Sequence, residues 1–282
     1  MLFFSRRPTV PVLRFSGPIG MATPLRPGLS IGTAAGAIER AFAMSKTPSV
    51  AIVINSPGGS PVQSNLIFRR IRQLGQETGK RVYVFCEDVA ASGGYFLASA
   101  GDEIYADPSS IVGSIGVVSA GFGFDKAIKQ LGIDRRLYTS GSNKGSLDPF
   151  SPEKPDDVER LKSVQRDVHD VFISVVKERR GPKLRGPDSE IFSGAFWSAK
   201  TALEFGLIDG IGDLRTKMRA LHGDKVRLRV VPLETGGWLS RRLRRLPSLG
   251  GFDAGVPASN WSLGDDIVSA VETRSLWSRF GL

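Results

Sequence analysis

Two glycine pairs, at positions 58–59 and 93–94, follow runs of β-branched apolar residues, and Ser92 stands directly before the second pair. Each run is typical of a buried strand, and ligands of α/β sheets bind at the carboxyl ends of strands. Glycine at such a position permits close backbone approach and positive φ angles. Two such loops can direct backbone N–H groups at one point, as in an oxyanion hole. The spacing therefore indicates a site for acyl transfer, although one pair alone would indicate no more than a tight turn.

Ser92 is the candidate nucleophile of this site. It opens a predicted short helix, whose N–H groups and positive end favour negative charge near the serine oxygen. A simpler interpretation is a helix N-cap, a position at which serine is common. A nucleophilic serine also needs a base, and neither histidine is well placed. His169 lies beside the apolar stripe of a predicted helix, so we expect a structural or surface role for it, and His222 lies far along the chain.

The remaining candidate base is a lysine, which must be kept neutral by burial. The lysines that follow the second glycine pair most closely are Lys126, Lys129, Lys144 and Lys154. Lys144 lies in a loop of small residues, 140–146, with no acidic neighbour before Asp148, so the loop could enclose it with little crowding. A loop lysine is more often solvated, and spacing alone leaves the identity of the base open.

The composition excludes several other classes of site. With 282 residues, 41% apolar and 23% charged, the chain is typical of a soluble globular protein. A single cysteine, Cys86, excludes a disulfide framework and a cysteine-based zinc site, and two histidines leave little for a histidine-rich metal site. No stretch approaches the roughly 20 apolar residues of a membrane span, and the N-terminus lacks the apolar core of a secretory signal. We therefore expect a cytoplasmic protein.

Alternating strand and helix patterns predict an α/β layered fold built from βα units. Strands are predicted at 49–55, 82–86, 104–106, 115–119, 134–139 and 226–231. Helices are predicted at 61–76, 95–100, 125–131 and 199–209, with a long helix capped by Ser151, opened by Pro152 and ended by residues 181–182.

Three motifs carry a resemblance to a known family: VINSPGGS at 53–60, AASGGY at 90–95 and IVGSIGV at 111–117. Together they resemble the signal peptide peptidase A family of serine peptidases, peptidase family S49. The similarity runs from about residue 49 to 212 and includes FSG at 192–194 and EFGLID at 204–209. It implies a ClpP/crotonase-like layered fold of repeated ββα units. The expected organisation is an N-terminal segment with a first helix (1–47), a peptidase domain (48–232) and a basic, flexible C-terminal segment (233–282).

The resemblance also implies roles for individual residues. The matching positions are Ser92 as nucleophile of a Ser-Lys dyad, Lys144 as general base, Ser114 as the hydroxyl that orients the lysine, and Gly58 and Gly93 as oxyanion-hole donors, with Gly59 as the alternative to Gly58. No cofactor and no metal are implied. The implied substrates are peptides such as signal-peptide remnants, or unfolded and membrane-associated proteins. Members of the family form ring-like homo-oligomers whose sites use groups from neighbouring subunits.

The net charge of +10 is concentrated in one part of the chain. Residues 215–245 contain ten basic and two acidic residues. Near Arg241, leucines at 239, 243 and 246 fall on one helical face among arginines, a pattern that fits peripheral contact with an anionic membrane surface but also a solvated or flexible tail. No nucleic-acid motif accompanies it, so no nucleic-acid partner is expected.

Members of the family typically carry an N-terminal membrane anchor, which this sequence does not show. The departure puts a membrane-bound, outward-facing location in doubt, so the expected location is cytoplasmic, with a possible peripheral position at the inner membrane face. Two other function classes stay open: a crotonase-like acyl-CoA enzyme and a non-catalytic membrane-surface scaffold.

Overall fold

A largely parallel sheet organises the computed structural model of the chain, which describes residues 7–21, 28–233, 271 and 273–282. Its strands are β1 (Thr9–Ser16), β2 (Ser49–Ser56), β3 (Arg81–Ala91), β4 (Glu103–Ala106), β5 (Ile111–Gly113), β6 (Phe196–Ser198), β7 (Gly210–Ile211) and β8 (Arg227–Val230). The main order is β6-β5-β3-β2-β1-β8, and β4 pairs with both β3 and β7. All pairs are parallel except β5–β6. The predicted α/β layered fold is confirmed.

Helices cover both faces of this sheet. They are α1 (Ile31–Ala43), α2 (Pro61–Thr78), α3 (Gly93–Ala98), α4 (Asp125–Gln130), α5 (Pro155–Arg180), α6 (Asp188–Ile191), α7 (Ala199–Glu204) and α8 (Leu214–His222). The larger apolar core lies between the sheet and α1, α2 and α3. A smaller core on the opposite face includes Met218 of α8. Strands β2 and β3 are therefore buried on both faces, which explains their nearly continuous apolar sequence.

Two predicted strands are wrong. The strand expected at 115–119 lies earlier, as β5, because the chain leaves the sheet at Ser114, whose φ is 53°. Residues 134–139 contain no strand and are exposed, since no neighbouring strand is there to accept their hydrogen bonds. The central strand β1, in turn, was not anticipated from the sequence.

The long helix α5 begins at Pro155, not at Pro152, with Lys154 in extended conformation as its N-cap. Both prolines suit a first helical turn, so the sequence pattern could not separate them. Its apolar stripe is only partly buried: Phe172 and Val176 lie in the core, whereas Val164 and Val171 are exposed.

Candidate active site

Ser92 and Ser114 lie side by side at the carboxyl ends of two paired strands. The register of β3 and β5 aligns Ala91 with Gly113, so the two serines are the next residues of each strand. The Ser92 N–H donates to the Gly113 carbonyl at 2.8 Å, and the Ser114 N–H donates to the Ala195 carbonyl at 2.7 Å. Adjacent parallel strands thus bring together two of the residues that the sequence singles out.

Both serines have backbone conformations that are strained for a residue with a side chain. Ser92 has φ 51° and ψ −122°, and Ser114 has φ 53°. Such outliers cost of order 1–3 kcal/mol each and cluster at functional sites. The Ser92 hydroxyl makes no capping hydrogen bond to α3 although the residue occupies the N-cap position. The backbone therefore turns sharply at Ser92, and the simple N-cap interpretation does not explain its side chain.

Gly58 approaches Ser92 more closely than any residue with a side chain could. A Cβ on Gly58 would lie 2.7 Å from the Ser92 Cβ and 2.9 Å from the Gly93 nitrogen, and Gly58 has φ 108°. Glycine is required here for both reasons, steric and conformational. The loop after β2 is thereby packed against the start of α3.

The two glycines of this loop differ in what their N–H groups do. The Gly58 N–H donates to Ser56 Oγ at 3.2 Å. Gly59 forms a β-bridge with Ile19. The two hydrogen bonds of this bridge run from the Ile19 N–H to the Gly58 carbonyl and from the Ser60 N–H to the Ile19 carbonyl. The bridge therefore does not use the Gly59 N–H. Gly59 lines the cavity beside Ser92.

That cavity is apolar and has a volume of about 210 Å³. It lies between the N-terminal ends of α2 and α3, the middle of α5 and the segment after Ser114. Its lining residues are Gly59, Pro61, Val62, Asn65, Ser92, Gly93, Phe96, Gly116, Val117, Val168, Val171 and Phe172. Ser92 is thus placed where an apolar side chain of a ligand can be held.

Lys144 is exposed and does not line the Ser92 cavity. Its loop is tied to the start of α5, where Ser146 Oγ donates to Asp157 Oδ1 at 2.9 Å. Along α5, Asp157 lies about 16 Å before Val168, which borders the cavity, at a rise of ~1.5 Å per residue. The described part of a single chain therefore does not bring Lys144 to Ser92. The other lysines considered, Lys126, Lys129 and Lys154, are also exposed and absent from the lining.

Lys144 belongs to a segment with an unusual surface, residues 117–150, here called the arm. None of its residues is buried. Its exposed apolar side chains are Val118, Phe122, Phe124, Leu131, Ile133, Leu137, Tyr138, Leu147 and Phe150. Among them, the Phe124 ring lies against the rings of both Phe122 and Phe150. Exposed apolar patches are typical of interaction sites.

The remaining reactive side chains are occupied elsewhere. His169 Nε2 lies 3.0 Å from the Ile115 carbonyl oxygen, and His222 Nε2 lies 3.0 Å from Ser49 Oγ. Complete burial raises the pKa of the Cys86 thiol to about 12, so it stays protonated at neutral pH. Among the residues described, no three His, Cys, Asp or Glu side chains group as metal ligands would.

A buried ion pair, which sequence reasoning missed, joins Arg180 to Asp209 in the turn that contacts α3. The Arg180 guanidinium is 1% exposed and donates to Asp209 Oδ2 at 2.6 Å and to the Gly206 carbonyl. The Tyr95 hydroxyl of α3 donates to the Leu207 carbonyl at 2.7 Å in the same turn. Burial alone would raise the pKa of Asp209, but hydrogen bonds from Arg180 and Lys183 outweigh it and hold the pKa below its usual value. The EFGLID motif at 204–209 is thereby hydrogen-bonded to α3 through Tyr95.

No helix in the ranges that the structure covers is both long and apolar enough to cross a membrane. The basic segment near Arg241 lies outside the described residues.

Comparison with known proteins assigns the chain to a family. The model of peptidase family S49 matches residues 75–226, more than half of the chain. The chloroplastic serine protease SPPA of Arabidopsis thaliana is 33% identical over 62% of this chain and 26% of that protein. The probable protease SohB of Buchnera aphidicola is 34% identical over 59% of this chain and 48% of that protein.

A more similar relative has a different name. A Brucella abortus protein named Na(+)/H(+) antiporter NhaA is 52% identical over 97% of this chain, but the match covers only 37% of that protein. The chain thus spans about half or less of the length of each of these relatives. The match to the Brucella protein includes nearly all of the present chain, and with it the region matched by the S49 model. The family match, the protease relatives and the layered fold agree with the resemblance of the three glycine-rich motifs. The chain therefore belongs to peptidase family S49, with its ClpP/crotonase-like fold.

Proposed function

We propose that the protein is a serine endopeptidase in which Ser92 attacks the scissile carbonyl and Lys144 acts as general base. The observation that carries the proposal is Ser92 itself. It combines a strained backbone, a hydroxyl that does not cap its helix, and a position at an apolar cavity between two glycine loops. This combination is what a nucleophile at a strand-to-helix turn requires.

Backbone N–H groups form the oxyanion hole in this proposal. Gly93 supplies one donor at the start of α3. Gly58 and Gly59 are the alternatives for the second, and Gly59 is favoured because the Gly58 N–H already donates to Ser56 Oγ. Removal of one such donor typically costs about 10²–10³ in kcat.

Lys144 reaches Ser92 from a neighbouring copy of the chain. The arm carries Lys144 away from the Ser92 cavity of its own chain and exposes apolar side chains that another copy would bury. A lysine base must be neutral, and enclosure between two copies would remove the water that stabilises an ammonium. Ser114, 7% exposed and beside Ser92, would then orient the incoming amine. The expected assembly is a ring of identical subunits, as the family resemblance implies, because head-to-tail contacts form a ring where the rotation between subunits closes.

The reaction proceeds by acyl transfer. Lys144 Nζ accepts the Ser92 hydroxyl proton while Ser92 Oγ bonds to the scissile carbon, and the carbonyl oxygen becomes an oxyanion held by the glycine N–H groups. The C–N bond then breaks, and the Lys144 ammonium returns the proton to the leaving amine. Water attacks the acyl ester by the same route and frees Ser92. No cofactor takes part in these steps.

The substrate class follows from the cavity. Its walls, which include Val62, Phe96, Val117, Val171 and Phe172, suit an apolar side chain beside the cleaved bond. Signal-peptide remnants and unfolded or membrane-associated proteins offer such side chains in extended, accessible chains. The Brucella relatives named as antiporters favour a place of action near a membrane. The proposed location is the cytoplasmic side, with peripheral contact through the segment near Arg241. Liposome flotation of the protein with and without residues 236–251 tests this contact. Equal flotation of both forms would reject the proposed contact.

Hydrolysis of an apolar fluorogenic peptide tests the dyad. Ser92→Ala and Lys144→Ala should each lower kcat by at least about 10⁴, because each removes a group that the bond-forming step requires. Lys126→Ala is the matched control, since Lys126 lies in the same exposed arm. It should keep near wild-type activity. Undiminished hydrolysis by either dyad variant would reject the assignment, provided that size-exclusion chromatography shows the same assembly.

A further inference from the structure

Four arginines border a cavity at the open edge of the sheet, far along the sheet order from β5 and β3. Among the residues that the structure describes, the strand β8 pairs only with β1 and forms this edge. The cavity, of about 410 Å³, is lined by Thr9, Arg215, Arg219, Val226, Arg227, Leu228 and Arg229. Two of the arginines come from α8 and two from β8. We call Arg215, Arg219, Arg227 and Arg229 the basic face.

The basic face carries little compensating charge. Within the described residues, Arg219 alone of the four has an ion pair, at 3.3 Å to Asp224, whose side chain is 87% exposed. Exposed ion pairs of this kind contribute little to the stability of the fold. Arg215, Arg227 and Arg229 have no acidic partner among those residues. Side-chain alternation turns Arg227 and Arg229 to the sheet face opposite Leu228, which packs against the core cluster that contains Met218 of α8. The four arginines therefore bring positive charge to one cavity from both faces of the sheet edge, where a bound anion would be favoured.

The strand edge itself offers further donors. The Arg227 N–H donates to the Pro8 carbonyl at 2.8 Å, and the Val231 N–H donates to the Val12 carbonyl at 2.9 Å. Because alternate residues of a strand turn their N–H groups to opposite sides, those of Leu228 and Val230 face the open edge. Charged residues on an edge strand also prevent strand-to-strand aggregation. That role accounts for Arg227 and Arg229, but not for Arg215 and Arg219 on the helix.

Apolar side chains accompany the arginines. Leu221 of α8 and Val230 of β8 are both exposed. Past residue 233 the sequence continues into arginines and leucines at 238–246. Interleaved arginines and exposed aliphatic side chains suit the headgroup region of a lipid bilayer better than a nucleic-acid backbone.

From these features we infer that the basic face binds the phosphate groups of anionic phospholipids at a membrane surface. The guanidinium groups pair with headgroup phosphates, and Leu221 and Val230 contact the outer acyl region. This surface is separate from the segment near Arg241 and adds a folded contact that orients the peptidase on the bilayer. The inference stands independently of the Ser-Lys chemistry.

Flotation of the full chain with vesicles of about 30% phosphatidylglycerol in phosphatidylcholine tests the surface. Arg227→Gln/Arg229→Gln and Arg215→Gln/Arg219→Gln should each weaken vesicle binding about 10- to 30-fold, at roughly the contribution of one headgroup contact per arginine. The matched control is Arg69→Gln/Arg185→Gln, which removes the same charge from exposed positions elsewhere and should have a smaller effect. Replacing the four arginines at 241–245 by glutamine should weaken binding further when combined with either double variant.

Several outcomes would overturn the inference. One is wild-type flotation of both double variants, or equal loss in the Arg69/Arg185 control. A second is equal binding to pure phosphatidylcholine vesicles. A third is release from vesicles by millimolar glycerol phosphate, which would indicate a site for a small free phosphate. A fourth is tight binding of duplex DNA without vesicle binding. Hydrolysis of a soluble peptide should be unchanged in every basic-face variant, so the test does not depend on the dyad.

Discussion

The proposed nucleophile and the proposed base lie in two regions with opposite physical character. Ser92 is fixed by paired strands, by close glycine contacts and by a buried ion pair behind α3. Lys144 lies in the arm, where no residue is buried and Tyr138 is 90% exposed. In the proposed dyad, Ser92 is therefore positioned by the fold of a single chain, whereas Lys144 would need a second surface to enclose it.

This contrast suggests why the fold can hold a strained serine. Tertiary structure over-determines the turn at Ser92, so its backbone strain persists. The arm contributes no buried residue to that framework, and its apolar side chains would gain burial in the proposed assembly. The proposed activity would then depend on association, and an isolated subunit would not hydrolyse peptides.

The largest effect on stability should come from the ion pair behind the Ser92 site. Asp209→Asn leaves the Arg180 guanidinium buried without its partner and should lower the free energy of unfolding by about 3–5 kcal/mol. Asp188→Asn is the matched control, because the Lys177–Asp188 pair is exposed, and it should cost less than about 1 kcal/mol. Urea denaturation measures both. Similar losses of unfolding free energy in the two variants would show that the buried ion pair contributes no more than an exposed one.

The same pair predicts a dependence on pH. The pKa of Asp209 is lower in the folded state, so its contribution is full above the unfolded pKa of roughly 4 and disappears as the pH falls through the folded pKa. The stability difference between wild type and Asp209→Asn should therefore be largest near pH 6–7 and shrink below about pH 4. A difference that grows on acidification would contradict the sign of this shift.

A somewhat smaller effect, on catalysis, should follow from filling the glycine contact at Ser92. Gly58→Ala would place a Cβ 2.7 Å from the Ser92 Cβ at a φ of 108°, and it should lower kcat by about 10²–10³ through displacement of the oxyanion loop. Gly79→Ala is the control, since Gly79 also has positive φ but has open space around its Cβ position. Gly79→Ala should cost about 1 kcal/mol of stability and leave kcat unchanged. Equal kinetics in the two variants would deny Gly58 a role at the site.

The smallest change in subunit stability should come from the arm. Phe122→Ser/Tyr138→Ser removes two highly exposed apolar side chains and should alter the unfolding free energy of the subunit by less than about 0.5 kcal/mol. The same variant should shift the mass measured by sedimentation velocity toward the monomer and abolish hydrolysis. A monomeric variant that retains full activity would show that the arm does not complete the site.

The sequence predicted the strands and glycine turns around Ser92 because buried parallel strands have a strong apolar signature and their loops need glycine. It did not predict β1, whose Pro11 and Arg14 interrupt the apolar pattern, although the strand pairs on both sides. It misplaced β5, since β-branched residues on either side of Ser114 look alike in one dimension. The Arg180–Asp209 pair was also missed, because pairing across 29 positions leaves no local pattern.

The arm shows a different limit. A strand is predicted at residues 134–139, but an extended segment forms a strand only where a neighbouring strand accepts its hydrogen bonds. In a single chain no such neighbour exists for this segment within the described residues. Lys144 could be selected by resemblance, whereas its surroundings depend on a second chain that no local pattern describes.

The central claim is that Ser92 and Lys144 act together across two copies of the chain. Mixing Ser92→Ala and Lys144→Ala subunits, each inactive alone, tests it most directly after dissociation and reassembly. Random assembly at equal amounts should restore about a quarter of the wild-type rate, because that fraction of sites pairs an intact serine with an intact lysine. A mixture that assembles like wild type and stays as inactive as its components would contradict the claim.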